Sequence, residues 1–247
     1  MVDSTIPGKS LDAQFDAMWK RFERLSTTTD SISDWPSRIR RWIMPVNVSF
    51  VIPIEDAKVC EYLGRAQEAL MEHMAYAPQP SDKLHITLYQ LGYLRSLPFR
   101  QPGAWSKNQL QQIATLVRQY LTLLKPFEVQ IGPMNAFPNV AIAEVHDFGK
   151  LRLLYSVVAR AVPPIAPLPV YPLVPHVTLG YFGRRSAAAI RNTIRPLRDW
   201  PPVTMTISRM DLTLYYRKPG PYDPSQALLH STEEVVATLP LGGSKEE

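Results

Sequence analysis

One eight-residue phrase is written twice in this chain, and the repetition limits the architectures open to it. His85-Ile86-Thr87-Leu88-Tyr89-Gln90-Leu91-Gly92 is answered 91 residues later by His176-Val177-Thr178-Leu179-Gly180-Tyr181-Phe182-Gly183. Each copy sets a β-branched residue between His and Thr and closes an apolar stretch with glycine, the pattern of a strand running into a turn. Along a strand, side chains alternate, so His and Thr share one face while Ile86 and Leu88 take the other. A fold that holds both copies must place two such strands so that both apolar faces are buried. Side by side, they would line a cleft with two imidazoles and two hydroxyls.

The rest of the chain supports a duplicated architecture rather than a sequence repeat. A helix is expected over Leu11–Leu25, where Phe15, Met18, Trp19 and Phe22 recur at helical spacing, followed by a polar linker. A strand over Val46–Ile54, a helix from Asp56 to about Ala75 and the first phrase over Leu84–Leu91 make one half. Helix Lys107–Leu124, short strands Phe127–Ile131 and Val140–Val145, and helix Leu151–Val162 lead into the second half. The second phrase, over Val174–Phe182, precedes helix Ser186–Leu197 and one long strand, Val203–Tyr216, with which Glu234–Leu239 pairs. The fold class is therefore α+β, with antiparallel sheets facing a central cleft and helices outside. Residues 1–42 read as an N-terminal extension and residues 43–247 as the main unit.

Composition narrows the setting. A hydrophobic fraction of 45% supplies a core for 247 residues, and 20% charged residues is ordinary for a soluble domain. The single Cys60 rules out an intrachain disulfide and fits a reducing compartment. Residues 1–30 lack the basic-then-apolar profile of a secretory signal, so a cytoplasmic location is expected. The longest apolar stretch, Val157–Val177, is broken by six prolines and reads as a loop, not a membrane span. A net charge of +5 favours phosphate-bearing ligands through sequence-independent attraction.

Splitting a phosphodiester needs a base for the attacking oxygen and an acid for the leaving one. Histidine suits both, because its pKa lies near neutrality. Threonine hydroxyls donate to the non-bridging oxygens as their charge grows. The chain has no carboxylate cluster, and its histidines are not spaced for zinc, so neither a metal nor another cofactor is expected.

With two H-x-T-L segments on strand-like stretches about ninety residues apart, the chain resembles the 2H phosphoesterase superfamily. More narrowly it is similar to the bacterial and archaeal 2′,5′-RNA ligase-like proteins, also called RNA 2′,3′-cyclic phosphodiesterases. The likeness spans roughly residues 43–240 and includes Phe127–Gly132 leading to Ala136-Phe137-Pro138. It implies a bilobed, pseudo-twofold fold. It also implies hydrolysis of 2′,3′-cyclic phosphate RNA ends, with His85 and His176 as the acid–base pair and Thr87 and Thr178 as phosphate ligands. Reversible 2′,5′-ligation, cleavage of 2′,5′-linked oligonucleotides and binding of RNA ends without catalysis are the alternatives. The partners implied are RNA ends or small nucleotides; no membrane partner is implied, and a monomer is expected.

The chain also departs from that pattern. Many family members carry an arginine five residues after the second histidine, where this chain has Tyr181. Arg184, Arg185 and Arg217 are the candidate replacements. By strand parity Tyr89 should face the cleft, as a base-stacking platform or as strand packing, with Gly180 leaving room opposite. Tyr181 has the other parity and faces the cleft only if the strand ends there. Phe137 borders the site or plugs its turn, and only one of Tyr215 and Tyr216 can face inward. His73, His146 and His230 read as structural or surface residues, and Arg38, Arg40 and Arg41 as a solvated basic run.

Overall fold

The computed structural model describes residues 10–29, 46–74, 78–94, 104–147, 149–163, 173–216 and 232–242. Arg38, Arg40, Arg41, Arg217, His230 and most of the proline-rich loop lie outside these residues. The strands are β1 (Val46–Pro53), β2 (His85–Leu94), β3 (Ala104–Trp105), β4 (Phe127–Phe137), β5 (Val140–His146), β6 (His176–Tyr181), β7 (Val203–Ile207), β8 (Arg209–Tyr216) and β9 (Thr232–Pro240). The α-helices are α1 (Leu11–Glu23), α2 (Ala57–Leu70), α3 (Lys107–Leu121), α4 (Lys150–Ala161) and α5 (Ala187–Leu197).

These helices begin where local chemistry caps them. Asp56 accepts from the amides of Lys58 and Val59 at the start of α2. Ser106 and Gln109 form a reciprocal capping box at the start of α3. Helix α1 opens on Ser10 and stops at Glu23, two residues short of the expected Leu25. Helix α2 gives way after Leu70 to a 3₁₀ turn over Met71–His73. Among the described residues, no helix is long and apolar enough to cross a membrane.

All the strands join one sheet in the order β7-β4-β5-β6-β2-β1-β8-β9, with the short β3 parallel to the end of β2. Neighbours along that path are antiparallel. The expected long strand Val203–Tyr216 is in fact two strands broken at Ser208, and its halves pair in different parts of the sheet. From β7 to β8 is six strand spacings, roughly 29 Å on a flat sheet at about 4.8 Å each. One intervening residue spans only about 7 Å between its neighbours. The sheet must therefore curl, and the Leu241 amide donates to the Ser208 carbonyl at 2.8 Å beside this crossing.

Within the sheet, the two halves pair at one residue pair, Ile86 of β2 with Val177 of β6. Both side chains are fully buried, as are Leu88 and Leu179 two residues on. They face the main core, which Leu63 of α2, Leu110 of α3, Leu154 of α4 and Ile190 of α5 also enter. Each such leucine or isoleucine contributes about 1.5–3 kcal/mol by leaving water. The apolar half of each phrase thus anchors its strand, leaving the His-Thr half on the opposite, concave face.

Candidate active site

Antiparallel pairing centred on Ile86 and Val177 arranges the two phrases around a local twofold axis. Continuing that register one residue each way sets Thr178 across from His85 and His176 across from Thr87. Directly opposite pairs on such a ladder have Cβ atoms about 4.5–5.5 Å apart, and diagonal pairs such as His85 and His176 lie about 7–8 Å apart. All four side chains are partly exposed, while Ile86 and Val177 between them are buried. This is the juxtaposition expected from the sequence, in a geometry that lets one phosphate group lie between two imidazoles.

Both imidazoles are held in the same way. The Nδ1–H of His85 donates to the Lys83 carbonyl at 2.9 Å, and that of His176 to the Val174 carbonyl at 2.8 Å. A carbonyl only accepts, so each Nδ1 must carry its proton, and Nε2 is left to accept or donate. Burial pushes both histidines below their ordinary value of 6.5, against the opposing pull of these backbone hydrogen bonds. For His85 the charge of His176 lowers it further, because two like charges on one small cleft disfavour each other.

Each phrase also contains a bulge, at the same place. Thr87 pairs with Val51 and Tyr89 with Phe50, so Leu88 is an extra residue in β2. Thr178 pairs with Ile142 and Gly180 with Ala141, so Leu179 is the extra residue in β6. An extra residue reverses the parity of everything after it. Gln90 and Tyr181 consequently line the cleft together with Thr87 and Thr178. Tyr89, expected to face the cleft, instead lies against Tyr155 of α4, ring centroids 5.1 Å apart, and is not among the cavity-lining residues. Gly180 does not open space there either: a Cβ on it would lie 2.5 Å from Met74 Sδ. The bulged Leu179 carbonyl is satisfied by the Gln79 amide at 3.0 Å and the buried Gln67 side chain at 2.9 Å.

A cavity of about 250 Å³ opens on the His85 side. Its floor comes from Asn47 and Ser49 of β1 and Tyr215 of β8, and its walls from Gln79, Lys83, Gln90 and Tyr181 around the motif residues. Tyr215 faces His85 with ring centroids 5.5 Å apart, and burial drives its hydroxyl well above the usual phenol range, so it is a neutral donor. Tyr216 points the other way and bonds Glu234. On the other side the Phe137 ring meets the edge of His176 at 5.1 Å. Arg184 is exposed beyond the turn and outside this cavity lining. Arg185 binds the Glu72 and Met74 carbonyls at the end of the 3₁₀ turn. Neither stands where the family's arginine would; Lys83 is the cation of this lining. Sequence reasoning missed it: Lys83 closes a 3₁₀ turn, Ser81–Lys83, just before β2, where strand parity does not apply.

The remaining histidines are engaged elsewhere. His73 Nε2 lies 2.6 Å from the Thr193 hydroxyl, and His146 sits between Asp12 and Glu144. Among the described residues, no group of three or more His, Cys, Asp or Glu side chains is placed to hold a metal ion.

The fold has clear relatives. The protein TT0787 of Thermus thermophilus superposes with a TM-score of 0.54 at 20% identity, covering 80% of this chain and 98% of that one. E. coli LigT in apo form gives 0.52 at 15% identity, covering 81% and 99%, and LigT complexed with 3′-AMP gives 0.52 at 14%, with the same coverages. A comparison with curated protein sequences finds no match. The profile of the 2′-5′ RNA ligase superfamily matches residues 55–219, which include both His-Thr phrases, and the chain belongs to that superfamily.

Proposed function

We propose that this protein is a phosphodiesterase that opens 2′,3′-cyclic phosphates at RNA ends or on small nucleotides, with His85 and His176 as its acid–base pair. The observation that carries the reading is the matched pair of Nδ1 hydrogen bonds, which leaves each Nε2 to the substrate on a twofold-related diagonal. His176, neutral at neutral pH, accepts a proton from water as the water oxygen attacks phosphorus. The bond from phosphorus to the ribose 3′-oxygen breaks, and His85 gives that oxygen its proton, leaving a 2′-phosphate. This assignment follows the cavity, which lies beside His85 and offers the nucleoside its room. Thr87 and Thr178 donate to the non-bridging oxygens, where charge builds in the transition state.

The negative charge of the phosphate that enters between the rings offsets their lowered affinity for protons, so substrate itself prepares His85 as an acid. The reaction needs no metal in this scheme. Hydrolysis of a 2′,3′-cyclic nucleotide in the presence of EDTA tests it. His85→Ala and His176→Ala should each lose about 10²–10⁴-fold in kcat, the range for general acid–base groups. Undiminished turnover in either variant, or a requirement for added metal in the wild type, would refute it. Product analysis on 2′,5′-linked dinucleotides alongside separates ring opening from action on that linkage.

A further inference from the structure

Helix α1 lies outside the residues matched by the family profile, yet it docks beside the second motif. Its Phe15 is buried against Val140 and Ile142 of β5, and the same small cluster takes in Phe137, Val174 and Tyr181. Val140 and Ile142 are the register partners of Tyr181 and Thr178. The segment after α1 then runs to the turn beyond β6: Thr28 donates to the Gly183 carbonyl at 2.6 Å and accepts from the Arg185 amide at 2.8 Å.

A row of alternating charges fastens the helix. Asp12 of α1 meets His146 Nδ1 at 2.8 Å, and His146 Nε2 meets the buried Glu144 at 2.8 Å. Glu144 also takes Arg198 at 2.9 Å and the Asn135 amide at 2.6 Å, while Arg198 reaches Asp16 at 3.9 Å and lies over the Trp19 ring at 4.9 Å. Both ends of the row are aspartates of α1 four residues apart, hence on one helix face. Its buried middle, Glu144, is the register partner of His176.

We propose that α1 is a strap that positions the second catalytic strand. The row Asp12–His146–Glu144–Arg198–Asp16 clamps it to β5 and so steadies His176 and Thr178. The catalytic part of this statement rests on the phosphodiesterase reading; the clamp itself does not. Carboxylates only accept hydrogen bonds, so His146, facing one at each nitrogen, is an imidazolium in the clamp. Burial disfavours its charge, but Glu144 and Asp12 outweigh that and raise its pKa above 6.5. The other charged groups facing it are Asp147, and Glu128 and Arg152 across the adjoining cavity, with Asp16 and Arg198 one step along the row. A raised pKa in the docked state gives a stabilisation complete below the ordinary value and lost as pH rises through the docked value.

The test uses the full chain with Asp12→Asn and Asp16→Asn together, two exposed helix positions whose change leaves the buried Glu144 intact. Hydrogen exchange of residues 11–23 at pH 6, corrected for intrinsic rates, should become several-fold faster. The wild type should lose protection as pH rises from 6 to 8.5, and His146→Gln should not show that dependence. The His176 ring signals in NMR should shift in the double variant, and Asp12→Glu should restore them. On a cyclic nucleotide, kcat should fall several-fold with KM little changed. Unaltered α1 exchange together with unaltered His176 signals would overturn the strap. A wild type without phosphodiesterase activity, but with the expected exchange and ring shifts, would defeat the functional reading and leave the clamp standing.

Discussion

The two histidines share a motif, a backbone hydrogen bond and a bulge, yet their surroundings differ. His85 looks over an open floor of Asn47, Ser49 and Tyr215 with Lys83 at its rim. His176 is edged by Phe137 and flanked by β5, which carries α1 on the same face as the motif. On the proposed reading, the shared parts serve proton transfer and phosphate binding and follow the local twofold, while the parts that differ set where the rest of the substrate lies. The frame of the motif is symmetric and its surroundings are not.

That contrast is open to direct attack. The threonines belong to the symmetric part, so Thr87→Val and Thr178→Val should cost kcat by similar amounts, about 10²-fold, the low end for removing a transition-state donor. Losses that differ by more than tenfold would show that one hydroxyl carries the phosphate alone. Lys83 belongs to the asymmetric part. Lys83→Met should raise KM for a cyclic nucleotide about tenfold, the effect of one charge-assisted hydrogen bond, and the loss should shrink in high salt. If kcat rather than KM collapses, Lys83 acts on the reacting phosphate as the missing arginine would. The smallest effect separates the bulge from simple alternation: Gln90→Ala should weaken binding about fivefold, while Tyr89→Phe leaves kinetics unchanged. The reverse outcome would return Tyr89 to the cleft.

Much of this was legible in the sequence, for identifiable reasons. Period-two alternation exposes the His-Thr face because Ile86, Leu88, Val177 and Leu179 have only one place to go, into the core. Helix starts at Asp56 and Ser106 follow from side chains acting on their own neighbours. The bulges at Leu88 and Leu179 were not legible, because an extra residue exists only relative to the strand alongside, β1 or β5. Parity counted past the threonines therefore chose Tyr89 where the structure has Gln90. The break at Ser208 did leave a trace: apolar residues fall on odd positions through Ile207 and on even ones from Met210, a phase shift at Ser208-Arg209 where the pairing partners change. Lys83 was out of reach of parity, because it closes a 3₁₀ turn, Ser81–Lys83, rather than continuing β2. His146 was read as structural or surface, and it is engaged in the row of charges under α1, but its link to Asp12 spans 134 residues and no local pattern announces it.

The division of labour between the histidines is tested most directly by the pH dependence of kcat/KM on a 2′,3′-cyclic nucleotide. A base that must be neutral and an acid that must be protonated give a bell. Since burial lowers both groups in the free enzyme, its maximum should lie below pH 6.5. His176→Ala should flatten the acidic limb of the residual activity and leave the basic one, and His85→Ala should do the opposite. A bell that keeps both limbs in either variant would contradict the two-histidine account.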